Sequence, residues 1–134
     1  MRILPHVIAA ANKPNIPELM LDIIKNTLIT HGHPRAFLGA TCYAYALDFL
    51  VRKETILEYG ELVSAVIDGQ RDWGAFPNAD ALGIWLEIAK QACGYGFFRE
   101  WEATCESMLC QLEFIKVSLK KGLILDDTSV PSVE

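Results

Sequence analysis

The sequence lacks an excess of positive charge and lacks a long uninterrupted apolar run. It holds 12 Lys and Arg against 17 Asp and Glu, which gives a formal net charge of −5 at pH 7. Nucleic acids and anionic membrane surfaces recruit clustered basic side chains, and no such cluster occurs, so we expect neither as a partner. The apolar stretch at residues 37–51 contains Asp48 and is shorter than the roughly 18 residues of a membrane-spanning helix.

Cysteine is scarce and is not spaced to bind a metal. The four cysteines are Cys42, Cys93, Cys105 and Cys110. They fit no zinc-site spacing, and the last two fall in one predicted helix. No basic segment followed by a cleavable apolar segment opens the chain, so nothing favours a secreted disulfide framework. We therefore expect reduced thiols and a cytoplasmic protein.

Strand patterns are lacking too, whereas helical periodicity covers most of the chain. The length of 134 residues and the hydrophobic content of 51% fit one globular domain. We predict an all-α fold, a compact orthogonal bundle of about six helices around one apolar central helix. Residues 1–122 should form a single helical domain, and residues 123–134, which lose the helical period, should be a flexible tail.

Three segments carry recognisable helix signals. Thr-Ile-Leu-Glu opens residues 55–68 in the form of a capping box and predicts a helix over that range. Asn78 is placed to cap a helix whose apolar stripe includes Trp85, so Trp85 is predicted in the core. The last helix is predicted over about residues 98–121, with Gly122 ending it.

The most informative stretch is residues 30–51. Proline suits a first helical position because its missing N–H has no helical partner there, and Pro34 opens an apolar segment. From residue 37 to residue 51 the clearly polar side chains are Thr41 and Asp48. A helix that is apolar on nearly all sides should run through the middle of the core. The sequence thus places polar chemistry at the start of a central helix.

Two histidines, His31 and His33, flank Gly32 at this helix start. Imidazole N–H groups can donate to phosphate or ribose oxygens, and free backbone N–H groups of a first helical turn add to an anion site. The pair therefore suits a pyrophosphate ligand. The alternative is that both rings satisfy backbone carbonyls where two buried helices meet. A His-x-His zinc site would need a third ligand, and none is placed nearby.

Two aromatic residues, Trp73 and Phe76, lie in a predicted loop rich in glycine. Exposed aromatic side chains on loops can stack on an adenine ring. Filling the seam between helices is the commoner role of such residues, and we favour it here.

The residues around the histidines resemble the ADP-ribosylglycohydrolase family, the group that includes dinitrogenase reductase-activating glycohydrolase. The resemblance rests on Thr-His-Gly-His-Pro at residues 30–34, followed by Arg-Ala and then Gly-Ala at the start of an alanine-rich helix. Met-Arg-Ile-Leu-Pro at residues 1–5 is similar to a family motif that precedes the histidine motif by roughly two dozen residues. The resemblance covers roughly residues 1–51 and implies the central and C-terminal part of such a protein.

This resemblance implies an activity, a cofactor and a partner. Family members are compact helical proteins that use two Mg²⁺ ions, held by acidic motifs from both ends of the chain. They hydrolyse the glycosidic bond between ADP-ribose and a protein side chain or related acceptor. The implied partner is ADP-ribose or an ADP-ribosylated protein, with His31, His33 and Arg2 as substrate-binding residues.

The acidic motifs are where the sequence departs from the family. The early Thr-Asp-Asp-Thr-type motif and the glycine-rich substrate loop would lie before Met1. The late Asp-x-Asp-Thr motif has only Asp126 and Asp127 as a counterpart, followed by Ser-Val-Pro instead of a small-residue helix. We assign no catalytic and no metal residue, and we expect this portion of a hydrolase to be inactive alone.

The alternative function is a non-catalytic helical module on the same scaffold, which binds a protein partner or ADP-ribose. In either case a central helix that has lost its covering neighbours would expose apolar surface. Large exposed apolar patches favour association, so we also expect a homo-oligomer.

Overall fold

The computed structural model describes residues 2–13 and 15–122. These residues form eight α-helices and one 3-10 turn, with no strand among them, which confirms the all-α prediction. In chain order the elements are α1 (Ile3–Ala10), α2 (Ile16–Leu28), α3 (Pro34–Arg52), α4 (Glu61–Asp68), α5 (Gln70–Trp73), α6 (Ala79–Leu82), α7 (Ile84–Cys93), the 3-10 turn (Gly94–Gly96) and α8 (Phe97–Lys120).

Helix α3 begins at Pro34, as the sequence predicts, and has the predicted central position. It packs against α1, α2, α4, α5 and α8. Its buried residues are Pro34, Phe37, Leu38, Ala40, Thr41, Ala44 and Asp48. One side of α3 faces solvent, since Tyr43 is 56% exposed and Val51 is 47% exposed. The helix therefore forms the centre of the bundle without being covered on every side.

The C-terminal end of α3 is fastened to α1. The Nε of Arg52 lies 3.0 and 2.8 Å from the two carboxylate oxygens of buried Asp48. The other guanidinium nitrogens donate to the carbonyls of Ala11 at 3.1 Å and Ala10 at 3.2 Å. Carbonyls at a helix end have no partner within the helix, so Arg52 caps α1. The hydrogen bond to Asp48 raises the pKa of Arg52.

An aromatic cluster joins α3 to α8. The ring of Phe37 lies 6.2 Å from that of Phe97 and 6.1 Å from that of Trp101, centroid to centroid. Phe76 meets Trp101 edge-on at 5.4 Å. Tilted and edge-on pairs at these distances add to the free energy gained by burial. Phe76 therefore fills the seam between helices, as we predicted.

The segment that contains α5 is pinned to the core by three hydrogen bonds. Thr41 Oγ1 lies 2.7 Å from the Trp73 carbonyl oxygen, and the Trp73 indole donates to the Val66 carbonyl at 2.7 Å. The Trp101 indole donates to the Gly74 carbonyl at 2.9 Å. Trp73 is fully buried, which confirms that it fills a seam and leaves no ring face for an adenine.

The predicted capping box at residues 55–58 does not form. Helix α4 begins three residues later than the box, after Gly60, whose φ of 77° is left-handed. Its start is organised by Glu61, which accepts the Glu58 N–H at 2.9 Å and also pairs with Lys53. Glycine reaches this φ without steric strain, so the chain turns at Gly60 and the helix starts there.

The helix predicted after Asn78 is broken in two. Asn78 does cap α6, because its side-chain oxygen accepts the Asp80 N–H at 2.9 Å. Gly83 then adopts φ 54° and ψ −138°, outside the helical region, and α7 starts afresh. The break turns Trp85 outward to 62% exposure while Leu86 is buried. The prediction of Trp85 in the core is therefore wrong, because its apolar stripe was counted through the break.

The last helix, α8, agrees with its predicted bounds to within one residue. It ends before Gly122, whose φ is 68°. Although α8 is 24 residues long, no helix in the described part of the chain combines the length and hydropathy that crossing a bilayer requires. Residues 123–134, for which we predict a flexible tail, lie outside the described residues.

Candidate functional site

The candidate site is the histidine turn, residues 30–33, which joins α2 to α3. The N–H groups of Thr30 and His31 both bond the Thr27 carbonyl, at 3.1 and 2.9 Å. These bonds satisfy the Thr27 carbonyl in the last turn of α2. His33 follows in an extended conformation, φ −90° and ψ 138°, and is the N-cap residue of α3.

His33 caps α3 with its own ring. Its Nδ1 accepts the Arg35 N–H at 3.2 Å, and its carbonyl accepts the N–H groups of Ala36 at 3.0 Å and Phe37 at 3.4 Å. Pro34 has no N–H to offer. The donors of the first turn are thus either absent or already used. The prediction that free backbone N–H groups contribute to an anion site here is therefore wrong. Any ligand at this helix start must be bound by side chains.

His31 is held in a similar way. Its Nδ1 lies 2.7 Å from Thr30 Oγ1. Both imidazoles are thus anchored through Nδ1, both side chains are exposed, and neither Nε2 has a partner among the described residues. Neither ring donates a hydrogen bond to a backbone carbonyl, so the alternative that the histidines only satisfy backbone carbonyls is wrong. An anchored ring with an unengaged outer nitrogen can donate to a ligand.

The histidine turn rests on α7. A Cβ built on Gly32 would lie 3.7 Å from both the Cα and the Cβ of Ala89, so the turn's backbone packs closely on that helix. The Cys93 thiol donates to the Gly32 carbonyl with a sulfur-to-oxygen distance of 3.6 Å. Burial, and then the nearby Glu100 carboxylate, raise the pKa of Cys93, which keeps the thiol protonated as a donor. This backing holds the turn in place.

Arg35 adds a cation beside His33. Its Nε lies 3.5 Å from the Glu100 carboxylate, and the two side chains are 53% and 39% exposed. An exposed pair of this kind is worth less than about 1 kcal/mol, so a phosphate can compete for the guanidinium. Arg35 belongs to the Arg-Ala step of the histidine motif but is not among the substrate-binding residues predicted from the sequence. Its position two residues past His33, at a helix start, was the available signal.

Arg2 lies apart from this group. It is exposed and stands at the N-cap position of α1. Within the ranges that the structure describes, no hydrogen bond or ion pair joins it to His31 or His33. The structure therefore brings His31, His33 and Arg35 to one helix start, and the substrate-binding role of Arg2 stays a prediction.

Two clefts of the described residues are lined by other side chains. One, of about 530 Å³, lies between the start of α2 and the segment around α5, with Glu18, Arg71 and Asp72 among its polar lining. The other, of about 590 Å³, lies along α7 and is lined in part by Lys90 and Phe98. Neither is lined by the histidines, so the histidine turn presents its side chains on open surface.

The family resemblance implies two Mg²⁺ ions, and the described residues do not fit them. No group of three or more His, Cys, Asp or Glu side chains among these residues is placed to hold a metal ion. Asp126 and Asp127, the counterpart of the late acidic motif, lie outside the described residues. The chemistry open to the histidine turn is hydrogen bonding and ion pairing with a ligand.

Comparison with known proteins extends the resemblance along the chain. A sequence model of the family described as ADP-ribosylglycohydrolase matches residues 1–126. This match includes both short motifs and continues through α8, well beyond the residues that carry the motifs. No curated protein and no solved structure matches the chain significantly.

Proposed function

Since the chain belongs to the ADP-ribosylglycohydrolase family, we propose that it binds ADP-ribose, free or attached to a protein, through the histidine turn. One observation carries this proposal. His31 and His33 are each anchored through Nδ1 and leave Nε2 unengaged on the same exposed helix start. Both Nε2 atoms face solvent, where a ligand can reach them, and they lie on the segment that carries the family's histidine motif.

The three polar side chains of the turn match different parts of ADP-ribose. The Arg35 guanidinium is suited to pyrophosphate oxygens, which it can contact through two parallel N–H groups. In the neutral His33 ring the proton lies on Nε2, because Nδ1 accepts a backbone N–H, so Nε2–H donates to a phosphate or ribose oxygen. His31, anchored to a hydroxyl, offers a second nitrogen beside it.

We further propose that the chain is part of a hydrolase that cleaves the glycosidic bond of ADP-ribose conjugates, and that it is inactive alone. Family membership supports the hydrolase class. Glycosidic hydrolysis needs a positioned carboxylate or an activated water. The histidine turn supplies neither, so its role in the reaction is to hold the substrate, and the magnesium requirement of the family remains a proposal for this chain.

A cytoplasmic location is part of the same proposal. Cys42, Cys93, Cys105 and Cys110 are all free thiols. Free thiols persist in a reducing compartment. This supports the proposed location, which fractionation of the producing cells would test.

The second candidate function is a non-catalytic interaction module on the same scaffold. The observation that favours it is the exposed apolar side of α7, where Ile84 is 70% and Trp85 is 62% exposed. Such surfaces mark interaction sites. A module of this kind would bind a protein through α7 and would not need the histidines.

Calorimetric titration of ADP-ribose, with and without Mg²⁺, tests the proposed function. We expect binding by the unchanged chain and a loss of about tenfold or more in affinity for His31→Ala, since a hydrogen bond to a charged group is worth about 1.5 to 3 kcal/mol. His6→Ala removes a histidine outside the turn and should bind normally. Absence of binding by the unchanged chain, or equal losses in both variants, would overturn the proposal.

A further inference from the structure

The cleft between the start of α2 and the segment around α5 has the size of a small-molecule site. We call it the α2 cleft. Its volume of about 530 Å³ falls within the range in which proteins bind small ligands. The histidine turn follows the other end of α2, and the 13 residues of this helix span about 20 Å at a rise of 1.5 Å per residue. The α2 cleft is therefore separate from the histidine turn.

The floor of the α2 cleft is apolar and fixed in place. Met20 and Ile24 line it and are 5% and 3% exposed. Trp73, which is fully buried, borders the same cleft. Hydrogen bonds to Thr41 and to the Val66 carbonyl hold Trp73 in position. Because these side chains are already ordered, a ligand that covers them loses little free energy to ordering of the protein.

Charged side chains of both signs line the same cleft. They are Glu18 near the start of α2 and Arg71 and Asp72 of α5, and all three are exposed. Among the ion pairs of the described residues, none includes any of these three side chains. In the cleft along α7, by contrast, Glu87 and Lys90 pair with each other at 2.9 Å. The charges of the α2 cleft are therefore open to a ligand.

Each of the three charged groups also keeps hydrogen-bonding capacity. Glu18 accepts the Asn15 amide through Oε2 at 3.1 Å, which leaves Oε1. An arginine guanidinium can bind a carboxylate through two parallel N–H groups, and a carboxylate accepts from an ammonium group. The other charged residues of α2 and α6, which do not line the cleft, are Asp22, Lys25 and Asp80. The cleft thus offers one cation and two carboxylates beside an apolar floor.

We propose that the α2 cleft binds a zwitterionic α-amino acid with a large apolar side chain. Arg71 binds its carboxylate, Glu18 and Asp72 bind its ammonium group, and its side chain lies on the apolar floor. The two charges of an α-amino acid are attached to one carbon, and Arg71 and Asp72 are likewise neighbours in the chain.

The charges of the cleft also decide against other small ligands. Two carboxylates repel a phosphate group, and the guanidinium repels a simple cation. A ligand that carries both signs of charge close together suits all three side chains. This inference does not rest on the proposed function.

Calorimetric titration with L-phenylalanine and L-leucine tests the proposal. Phenethylamine lacks the carboxylate of phenylalanine, and 3-phenylpropionate lacks its ammonium group. Each should bind at least about tenfold more weakly than phenylalanine, because a hydrogen bond between charged groups is lost. Absence of binding by both amino acids, or equal binding of phenylalanine and its two analogues, would overturn the proposal.

A matched pair of arginine variants tests the role of Arg71. Arg71→Gln should weaken phenylalanine binding by about tenfold or more, since the group that binds the carboxylate is removed. Arg99→Gln removes an exposed arginine of α8 that does not line the cleft, and it should bind normally. Circular dichroism checks that both variants fold. Equal affinities of the two variants would contradict the assignment.

Backbone amide NMR locates the bound amino acid independently. The amide signals of Asp72 and Ala81, which line the cleft, should shift with saturation by phenylalanine, while that of His31 should not. Shifts confined to residues outside the cleft would show that the amino acid binds another surface and would overturn the proposal.

Discussion

Polar side chains lie at both ends of α3, but those at the C-terminal end are paired within the fold and those at the N-terminal end are partly free. At the C-terminal end, Asp48 is buried and every guanidinium nitrogen of Arg52 has a partner within the fold. At the N-terminal end, His31 and His33 are each anchored through one nitrogen and exposed through the other. One end uses its polar groups to hold helices together, while the other presents them to solvent.

This difference shows which polar groups of the helix are available for function. Arg52 and Asp48 carry charge and so are obvious candidates for a functional role in a sequence. In the structure, Arg52 caps α1 and pairs with Asp48, so both charges serve the fold. His31 and His33 each have one ring nitrogen free to bind a ligand. Arg35 is held only by an exposed ion pair, which contributes little to stability. If the account is right, substitutions at the C-terminal end should change stability, and substitutions at the N-terminal end should change ligand binding.

The largest effect on stability is expected for Asp48→Ala. It removes the partner of Arg52 and leaves a partly buried guanidinium without its carboxylate, so we expect a loss of about 2 to 4 kcal/mol. Denaturant unfolding measures this free energy. Glu100→Ala, which breaks the exposed pair with Arg35, is the control and should cost less than about 0.5 kcal/mol. Equal losses would remove the distinction between the two ends.

Two glycines sharpen the comparison through packing. A Cβ on Gly74 would lie 2.7 Å from the Gln70 carbonyl oxygen and 2.8 Å from Cys105 Sγ, so Gly74→Ala should cost about 1 to 3 kcal/mol. A Cβ on Gly39, near the start of α3, would have nothing within 4 Å. Gly39→Ala should therefore stabilise the helix by up to about 1 kcal/mol. Thermal unfolding of both variants checks the sign of each change.

A pair of buried threonines tests whether a hydroxyl with a hydrogen-bond partner contributes more to stability than a hydroxyl without one. Thr41 Oγ1 has the Trp73 carbonyl at 2.7 Å, whereas buried Thr104 Oγ1 has no hydrogen-bond partner in the described structure. Thr41→Val should cost about 1 kcal/mol, and Thr104→Val should be neutral or stabilising by up to about 1 kcal/mol. The two midpoints of urea unfolding should therefore move apart. A common shift would contradict the assignment.

At the N-terminal end of α3, substitutions of the two histidines should differ in their effect on stability but not in their effect on ADP-ribose binding. His33→Ala removes an N-cap interaction and should cost about 0.5 to 1 kcal/mol, while His31→Ala should leave stability almost unchanged. Both should weaken ADP-ribose binding, which calorimetry measures beside the unfolding experiment. A His31→Ala variant that unfolds more easily than His33→Ala would mean that His31 serves the fold.

The smallest effect is expected from the partly buried pair of Lys53 and Glu61, just past the end of α3. The hydrogen bond from Lys53 lowers the pKa of Glu61 below its ordinary value of 4.5. The link therefore stabilises the fold above that value, and the contribution is lost as the pH falls through the lowered pKa. Glu61→Gln should show a weaker loss of stability between neutral and acidic pH. An unchanged acid profile would assign no stabilising role to the link.

The features that the sequence predicted well depend on local signals. Pro34 fixed the start of α3, Asn78 capped a helix where expected, and Trp73 filled a seam. The first two follow from the chemistry of one residue and its near neighbours in the chain, and the third follows from the large apolar side chain of Trp73. Such signals need no knowledge of what packs against them.

The features that the sequence analysis missed lie where this sequence permits more than one backbone conformation. The capping box at residues 55–58 was chemically sound, yet Gly60 offered a turn that starts α4 next to Lys53. Gly83 left the helical region and turned Trp85 outward. His33 used the first-turn N–H groups for its own cap. The His33 cap is a local competition for the same N–H groups, whereas the turns at Gly60 and Gly83 depend on packing that the sequence pattern alone does not reveal.

The most direct test of the central claim is nitrogen-15 NMR of the imidazole side chains during titration with ADP-ribose. The account predicts that the Nε2 signals of His31 and His33 shift with saturation, while their Nδ1 signals, anchored to Thr30 and to the Arg35 N–H, change little. His6 should not respond. Unchanged signals of His31 and His33 at saturating ADP-ribose, or an equal response of His6, would contradict the claim that the N-terminal end of α3 is the binding end.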